Sequence, residues 1–481
     1  MLRSIAEYLN SGWIYWAVVV AYSVTVLSIV GIIVSENRNP LKSLAWITVL
    51  ILFPVGGIIL YIFFGRSIKN THMISRRNKR RLKRSEAAPQ QQVNPRSLTV
   101  ENRQHAMLGR ALTGAVLYEG NDVEVIIDGA EKMDKLIADI NSAKQYVHIQ
   151  YYIIDSDGMG NRLADALIAA AARGVKVRVI YDDIGSIHVS KRYHKRMREA
   201  GVEIYPFFRV AFPPFATRIN WRNHRKVTVI DGLVGYIGGM NIADRYIDGG
   251  KNFASWRDTH LRVQGPAVAA LQYSFAVDWN FMGNPLLEEE AGMGEPLSGG
   301  AAIQMITSGP TSPWSNVALM MLKAIGNAKK RIYIQTPYFL PTESLLRALQ
   351  AAALARVDVR VMIPRRSDSN ILTNASRSYI QECLRAGIKI YLYDAGMLHS
   401  KMMLVDDDFS TVGSTNFDFR SFEHNFEGNF FIYSPKINAQ LRAHFHNDQA
   451  QSVRVSAAQW RHRPWWHKTR ESIVRLLSPI L

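Results

Sequence analysis

Two stretches of this 481-residue chain carry the same reactive side chains at the same spacing. The first runs His224, Lys226, Asp231, then Gly238-Gly239-Met240-Asn241; the second runs His399, Lys401, Asp406, then Gly413-Ser414-Thr415-Asn416. Both obey H-x-K-x4-D-x6-G-[GS]-x-N. At ordinary residue frequencies, five fixed positions match by chance on the order of once in several million starting points. Two histidines, two lysines and two asparagines gathered in one place describe a phosphoryl-transfer site. The ammoniums of Lys226 and Lys401 offset the charge of a phosphodiester, which grows in the transition state. The amides of Asn241 and Asn416 donate to its non-bridging oxygens. One neutral imidazole can attack phosphorus and form a phospho-histidine. The other, protonated, can donate to the leaving oxygen. Both forms can coexist in one pocket because imidazole titrates near neutrality.

An imidazole that works this way needs an acceptor on its second nitrogen. Asp258, in WRDTHL after Asn241, and Glu427, after Asn416, are expected to serve. The competing reading of both acids is surface charge. Asp231 and Asp406 are counted in the catalytic pattern, but stand an odd number of residues from their histidines and are expected to brace the following turn. A metal is not expected, because no Asp/Glu cluster at ligand spacing accompanies the histidines and the paired lysines would repel a cation. No other cofactor is expected. The single cysteine, Cys383, excludes a disulfide framework and a cysteine-based zinc site.

These residues need strands to hold them. His and Lys two apart on a strand point to one face, and VTVI (227–230) and MMLV (402–405) continue as apolar strands. The surroundings repeat too: AKQYVHIQ (143–150) answers AKKRIYIQ (328–335), and EAGVEIYPF (199–207) answers RAGIKIYLY (385–393). Strand, helix, strand, helix, strand at this spacing predicts an α/β fold of two pseudo-twofold lobes with mixed, largely parallel sheets. The site is expected between the lobes.

The N-terminal region has another character. Residues 13–34 and 44–64 are two uncharged apolar runs. At 1.5 Å rise per residue each would span about 31–33 Å, close to the roughly 30 Å hydrocarbon core of a bilayer. The short link between them predicts a transmembrane helical hairpin, with Pro54, Gly56 and Gly57 marking a kink packed against the first helix. Nine Lys/Arg lie between Arg66 and Arg84, against two, Arg38 and Lys42, in the hairpin loop. That bias predicts a cytoplasmic N-terminus and cytoplasmic lobes, with the basic run against anionic headgroups. The whole chain carries 58 Lys+Arg against 40 Asp+Glu, a net +18, which calls for a polyanionic partner. With 48% hydrophobic and 20% charged residues it is not a disordered chain.

The expected organisation is a membrane hairpin at 1–66, a basic juxtamembrane segment and linker at 67–118, a first lobe at 119–290, a second at 300–455 and a basic aromatic segment at 456–481. Within it, residues 207–221 and 459–470 mix aromatics, prolines and basic residues and are expected at the membrane interface.

The duplicated H-x-K-x4-D pattern resembles the phospholipase D superfamily. The whole chain is similar to its bacterial cardiolipin synthases, in NPLKSLAWITVLILFPVGGIILYIFFGR (39–66), NHRKVTVIDG (223–232), WRDTHLRVQGPAV (256–268) and RESIVRLLSPIL (470–481). The resemblance implies two phospholipase-D-like lobes, a multi-pass protein of the bacterial plasma (inner) membrane, and phosphatidylglycerol and anionic lipids as partners. The implied reaction joins two phosphatidylglycerol molecules into cardiolipin and releases glycerol. It implies His224 as nucleophile and His399 as acid, then base, with Lys226, Lys401, Asn241 and Asn416 on the phosphate. Alternatives within the class are hydrolysis to phosphatidic acid or phosphatidyl transfer to another alcohol. A nuclease would suit the charge, but two membrane spans argue against nucleic acid. A lipid-binding scaffold would have no need of two intact H-x-K sets.

Overall fold

The computed structural model describes residues 12–35, 40–61, 65, 69, 72–85, 98–209, 220–287 and 294–476. The hairpin loop at 36–39, the Gln/Pro-rich stretch at 86–97, most of the aromatic segment expected at 207–221 and the last residues from 477 lie outside them. The chain divides into two compact units, one of residues 1–68 with 210–220 and the other of 69–209 with 221–481.

In the smaller unit, Gly12–Ser35 is one 24-residue helix, long and apolar enough to cross a membrane. Only 6% of its most apolar window is buried. The second run is not one continuous helix: it is helical over Pro40–Leu52, breaks at Phe53 and resumes over Pro54–Leu60. Proline has no N–H to give the carbonyl four residues back. The carbonyl in question, on Leu50, accepts instead from the Tyr22 hydroxyl of the first helix at 2.9 Å. A buried patch of Ile33, Leu50 and Tyr61 closes around this contact.

The larger unit is built on a 15-stranded mixed sheet. From one edge the strands run Glu203–Pro206, Lys176–Tyr181, Tyr146–Tyr151, Val227–Ile230, Val234–Gly238, His260–Gln264 and Leu117–Ile126. The sheet continues without interruption through Ala301–Ser308, Glu427–Tyr433, Phe409–Gly413, Met402–Val405, Arg331–Gln335, Asp358–Pro364, Lys389–Tyr393 and Ser452–Arg454. Read outward from the junction, the two halves have the same strand order over seven strands, and the second half adds Ser452–Arg454 at its edge. Leu117–Ile126 pairs antiparallel with Ala301–Ser308 and joins them.

Parallel pairs occur where the strand–helix–strand repeats predict them, at Tyr146–Tyr151 with Lys176–Tyr181 and at Arg331–Gln335 with Asp358–Pro364, and on to each next strand. The expectation of largely parallel sheets stops there. The strand after each H-x-K returns through a tight turn to its neighbour, so the middle of the sheet is antiparallel. Tyr146–Tyr151, Val227–Ile230 and Glu427–Tyr433 are buried along their whole length. A shared core takes Val227, Val229 and Leu261 from one half and Met402, Leu404 and Phe430 from the other.

The linker expected within 67–118 contains two helices. Arg76–Ser85 lies on the Val268–Phe281 helix, with Asn78 donating to Asn280 at 3.2 Å. Val100–Thr113, capped by Thr99, belongs to the second half although it precedes the first in sequence. Its buried His105 bonds the Tyr433 hydroxyl (2.9 Å) and the Met320 carbonyl (2.8 Å), and Gln304 donates to the Ala106 carbonyl.

Candidate active site

Each H-x-K histidine sits just before an apolar strand and is stitched by its backbone to the opposite half. Asn223 bridges Phe426, and the His224 N–H donates to the Phe426 carbonyl at 2.9 Å. In the mirrored place Met397–Leu398 runs parallel to Trp256–Arg257, and the His399 N–H donates to the Arg257 carbonyl at 2.7 Å. The residue after Phe426 is Glu427, and the residue after Arg257 is Asp258. The carboxylates are therefore exchanged between halves: Glu427 Oε1 is 2.9 Å from His224 Nδ1, and Asp258 Oδ2 is 2.6 Å from His399 Nδ1.

The four groups and both lysines are buried. Burial depresses the His224 imidazole; Glu427 pulls it back up and Lys226 pushes it down. Burial, with Lys401 beside it, takes His399 down to about 4 against the pull of Asp258. Lys226 falls well below the ordinary lysine range through burial, opposed by Glu427 and deepened by Lys401. Lys401 is lowered to about 8 by burial, against Asp258 and Glu427. Burial works against ionisation of both carboxylates, yet Lys401 and His399 hold Asp258 below its usual range, as His224 and Lys226 hold Glu427. Each lysine feels the carboxylates of both halves, so the two motifs form one electrostatic basin.

The second-half pattern differs from the first at one position. The Ser414 hydroxyl donates to Glu427 Oε2. Its counterpart Gly239 has no room for a side chain, since a Cβ there would lie 2.1 Å from Asp258 Oδ1. The Lys226 ammonium donates to the His224 carbonyl at 2.7 Å. Lys401 donates to the His399 carbonyl and also lies 2.8 Å from His399 Nδ1, the atom facing Asp258. The proton on that nitrogen belongs to the Asp258 contact, because a charged ammonium has no acceptor.

The asparagines are less alike than the pattern suggests. Asn241 donates to the Tyr246 hydroxyl at 2.6 Å and accepts from the Ile153 N–H at 3.2 Å. Asn416 is buried with its Oδ1 unpartnered, and its side chain bonds Asp418. Asp231 and Asp406 follow the strands at the ends away from the histidines. Asp231 accepts the N–H groups of Lys144, Gln145 and Tyr146, each at 2.8 Å. Asp406 takes those of Lys329, Lys330 and Arg331. Both have positive φ, 52° and 51°, which aspartate tolerates better than most residues. Their carboxylates are saturated by backbone and brace strand starts.

Sequence reasoning missed two buried pairs beneath the site. Arg225, between His224 and Lys226, donates from one guanidinium nitrogen to both oxygens of Asp278 (2.6 and 2.7 Å), which also accepts from Gln150. Arg257, beside Asp258, pairs with Asp448 (Nε at 3.0 Å), which accepts from Gln335. The signal was present: Gln150 and Gln335 end the corresponding repeat segments YVHIQ and RIYIQ. Among the described residues no three His, Cys, Asp or Glu side chains gather as a metal-binding group.

Known proteins resemble this chain. The family described as "Cardiolipin synthase, PLD-like domain" matches residues 136–279 and 321–449, and "Phospholipase_D-nuclease N-terminal" matches 23–66. The chain is 40% identical to the major cardiolipin synthase of Bacillus subtilis over 96% of its own length and 98% of that protein. It is 37% identical to a cardiolipin synthase of Alkalihalophilus pseudofirmus over 99% and 97%. The solved phosphatidylserine synthase of Haemophilus influenzae covers 79% of this chain and 100% of its own, with TM-score 0.61 at 14% identity, a likeness of fold. With its exposed apolar helix and this N-terminal match, the protein is membrane-associated.

Proposed function

Because the chain belongs to the cardiolipin synthase family of phospholipase-D-like proteins, we propose that it transfers a phosphatidyl group from one phosphatidylglycerol to the headgroup hydroxyl of another. The observation that carries this reading is the exchanged pair of buried histidine–carboxylate contacts. A carboxylate on Nδ1 fixes the proton there and leaves Nε2 as the reactive nitrogen.

In this mechanism His224, kept neutral by burial, attacks phosphorus through Nε2. A phosphorus–nitrogen bond forms, and the bond to the glycerol oxygen breaks. His399 gives that oxygen its proton and glycerol leaves. His399 then takes the proton from the hydroxyl of the second phosphatidylglycerol. The freed oxygen attacks phosphorus, releasing His224 and cardiolipin. The low position of His399 suits the second role as it stands. The first requires it charged, and a bound phosphodiester anion raises it by favouring the cation. Lys226 and Lys401 offset the charge on the phosphoryl oxygens, and Asn416 donates its amide there by exchanging its contact with Asp418. Asn241, engaged with Tyr246 and Ile153, acts on the phosphate only by exchanging those contacts.

The two halves of the sheet act as lobes 119–290 and 300–455. The apolar runs cross the plasma membrane twice, and the basic excess after the second keeps the lobes on the cytoplasmic side. The C-terminal helix Trp465–Arg475 supports interfacial contact, since Trp465, Trp466 and Ile473 are exposed on it. The test is mass spectrometry of lipid products from purified protein in phosphatidylglycerol vesicles, with and without EDTA. Cardiolipin and glycerol in equal amounts, unchanged by EDTA and abolished by His224→Ala, are expected. Phosphatidic acid alone would make water the acceptor; loss with EDTA would overturn the metal-free mechanism.

A further inference from the structure

A second concave site, of about 630 Å³, lies in the larger unit and contains none of the histidines, lysines or carboxylates described above. Its lining is strongly basic: Arg365, Arg366, Arg377 and Arg470 face a single acid, Asp394. That acid is already paired with Arg365 at 2.6 Å. Arg366, Arg377 and Arg470 form no ion pair among the described residues. Arg366 is held by the Asn252 carbonyl at 3.2 Å and lies over the Phe253 ring, and Arg377 donates to the Arg365 carbonyl at 2.8 Å. The nearby acid Glu471 is occupied by both arms of Arg463. Burial depresses Arg377, Glu471 pulls it back up, and the guanidiniums of Arg463, Arg470 and Arg365 push it down again.

The rest of the wall suits an oxyanion. The start of the 16-residue helix Asn370–Arg385 contributes Asn370, Thr373 and Asn374, and a helix start carries partial positive charge. Several guanidinium forks match tetrahedral phosphate oxygens better than a point charge does. The position is informative as well. The pocket's walls at Phe253–Ala254 and Tyr393–Gly396 lead directly into the paired segments that hold Asp258 and His399, where Ser255 donates to the Ala395 carbonyl and accepts from the Met397 N–H.

We propose that this arginine pocket is a second phosphate-binding site, distinct from the histidine site, that takes the phosphate of an anionic phospholipid headgroup or free inorganic phosphate. Occupancy does not require phosphatidyl transfer, so this reading can fail while the transfer reading stands, and the reverse.

The experiment uses full-length His224→Ala protein, which should not turn over, in phosphatidylcholine nanodiscs, and reads hydrogen exchange in segments 250–256 and 364–378. Phosphatidylglycerol is introduced into the discs in one arm; inorganic phosphate is titrated in the other. Protection is expected in both segments, with the midpoint moved about fivefold higher by Arg366→Gln or, independently, by Arg470→Gln. Protection in the lipid arm alone assigns the site to headgroups; protection by phosphate assigns it to the free anion. Absence of protection in both arms, or protection unmoved by either substitution, overturns the proposal.

Discussion

Replacing Glu427 by Gln tests the exchange of carboxylates between the halves. The substitution keeps the side chain's length and buried volume. It removes the charge 2.9 Å from His224 Nδ1 and offers an amide donor in its place. An amide that donates to Nδ1 makes that nitrogen the acceptor and puts the proton on Nε2, where the lone pair for phosphorus is needed. A carboxylate-to-amide change behind a catalytic histidine costs roughly 10⁴ in kcat, about 5.5 kcal/mol of barrier. Loss of Glu427 also removes the pull that partly offsets burial at His224. The imidazole then stays neutral to still lower pH, so protonation cannot explain the loss. Asp258→Asn acts on His399 instead. The two can be separated with a phosphatidyl ester of nitrophenol, whose leaving group needs little protonation. Rapid-quench measurement of phospho-enzyme should show Asp258→Asn and His399→Ala largely rescued on this substrate, and Glu427→Gln and His224→Ala not rescued. Rescue of Glu427→Gln but not of Asp258→Asn would assign the nucleophile to His399. Activity of Glu427→Gln within tenfold of the parent on both substrates would refute the orienting role.

Three further outcomes follow from the structure. Lys401, lowered to about 8, is charged below that pH and neutral above it, so kcat/KM should fall as pH rises through about 8; Lys401→Arg should move or remove that limb in a pH–rate profile. Asp231→Ala removes the acceptor of three N–H groups and places alanine at a φ of 52°, so it should lower folding stability by about 2–4 kcal/mol in a denaturation experiment, with kcat of the folded fraction nearly unchanged. Tyr22→Phe leaves the Leu50 carbonyl without its donor beside Pro54, and should weaken the helix packing in detergent by roughly 1–2 kcal/mol; an unchanged unfolding midpoint would show that the contact contributes nothing.

The chemistry was legible in the sequence because it is local. His224 with Lys226, and His399 with Lys401, share a face by strand geometry, and the repeat of their surroundings announces two equivalent halves. Parallel pairing of the flanking strands is equally local, since each strand–helix–strand unit closes on itself. The odd spacing set Asp231 and Asp406 apart from their histidines, but what they brace is the start of Tyr146–Tyr151 and of Arg331–Gln335 rather than the turn that follows each of them. The break at Pro54 was marked by the residue itself, though not that it would divide the second apolar run into two helices.

What tertiary structure alone decided are contacts between residues far apart in the chain. His224 meets Glu427 across 203 positions, and His399 meets Asp258 across 141. No periodicity encodes which half supplies which carboxylate; the answer lies in the backbone stitching of Asn223 to Phe426 and of Met397–Leu398 to Trp256–Arg257. The Val100–Thr113 helix likewise joins the second half because His105 finds Met320 and Tyr433 there. A helix that reads as amphipathic specifies that one face must be buried, but not against which surface. The sequence by itself thus determined the repeated histidines and lysines and the strands that follow them, while the docking of two like halves, through one continuous sheet and a shared core, decided how each histidine is held.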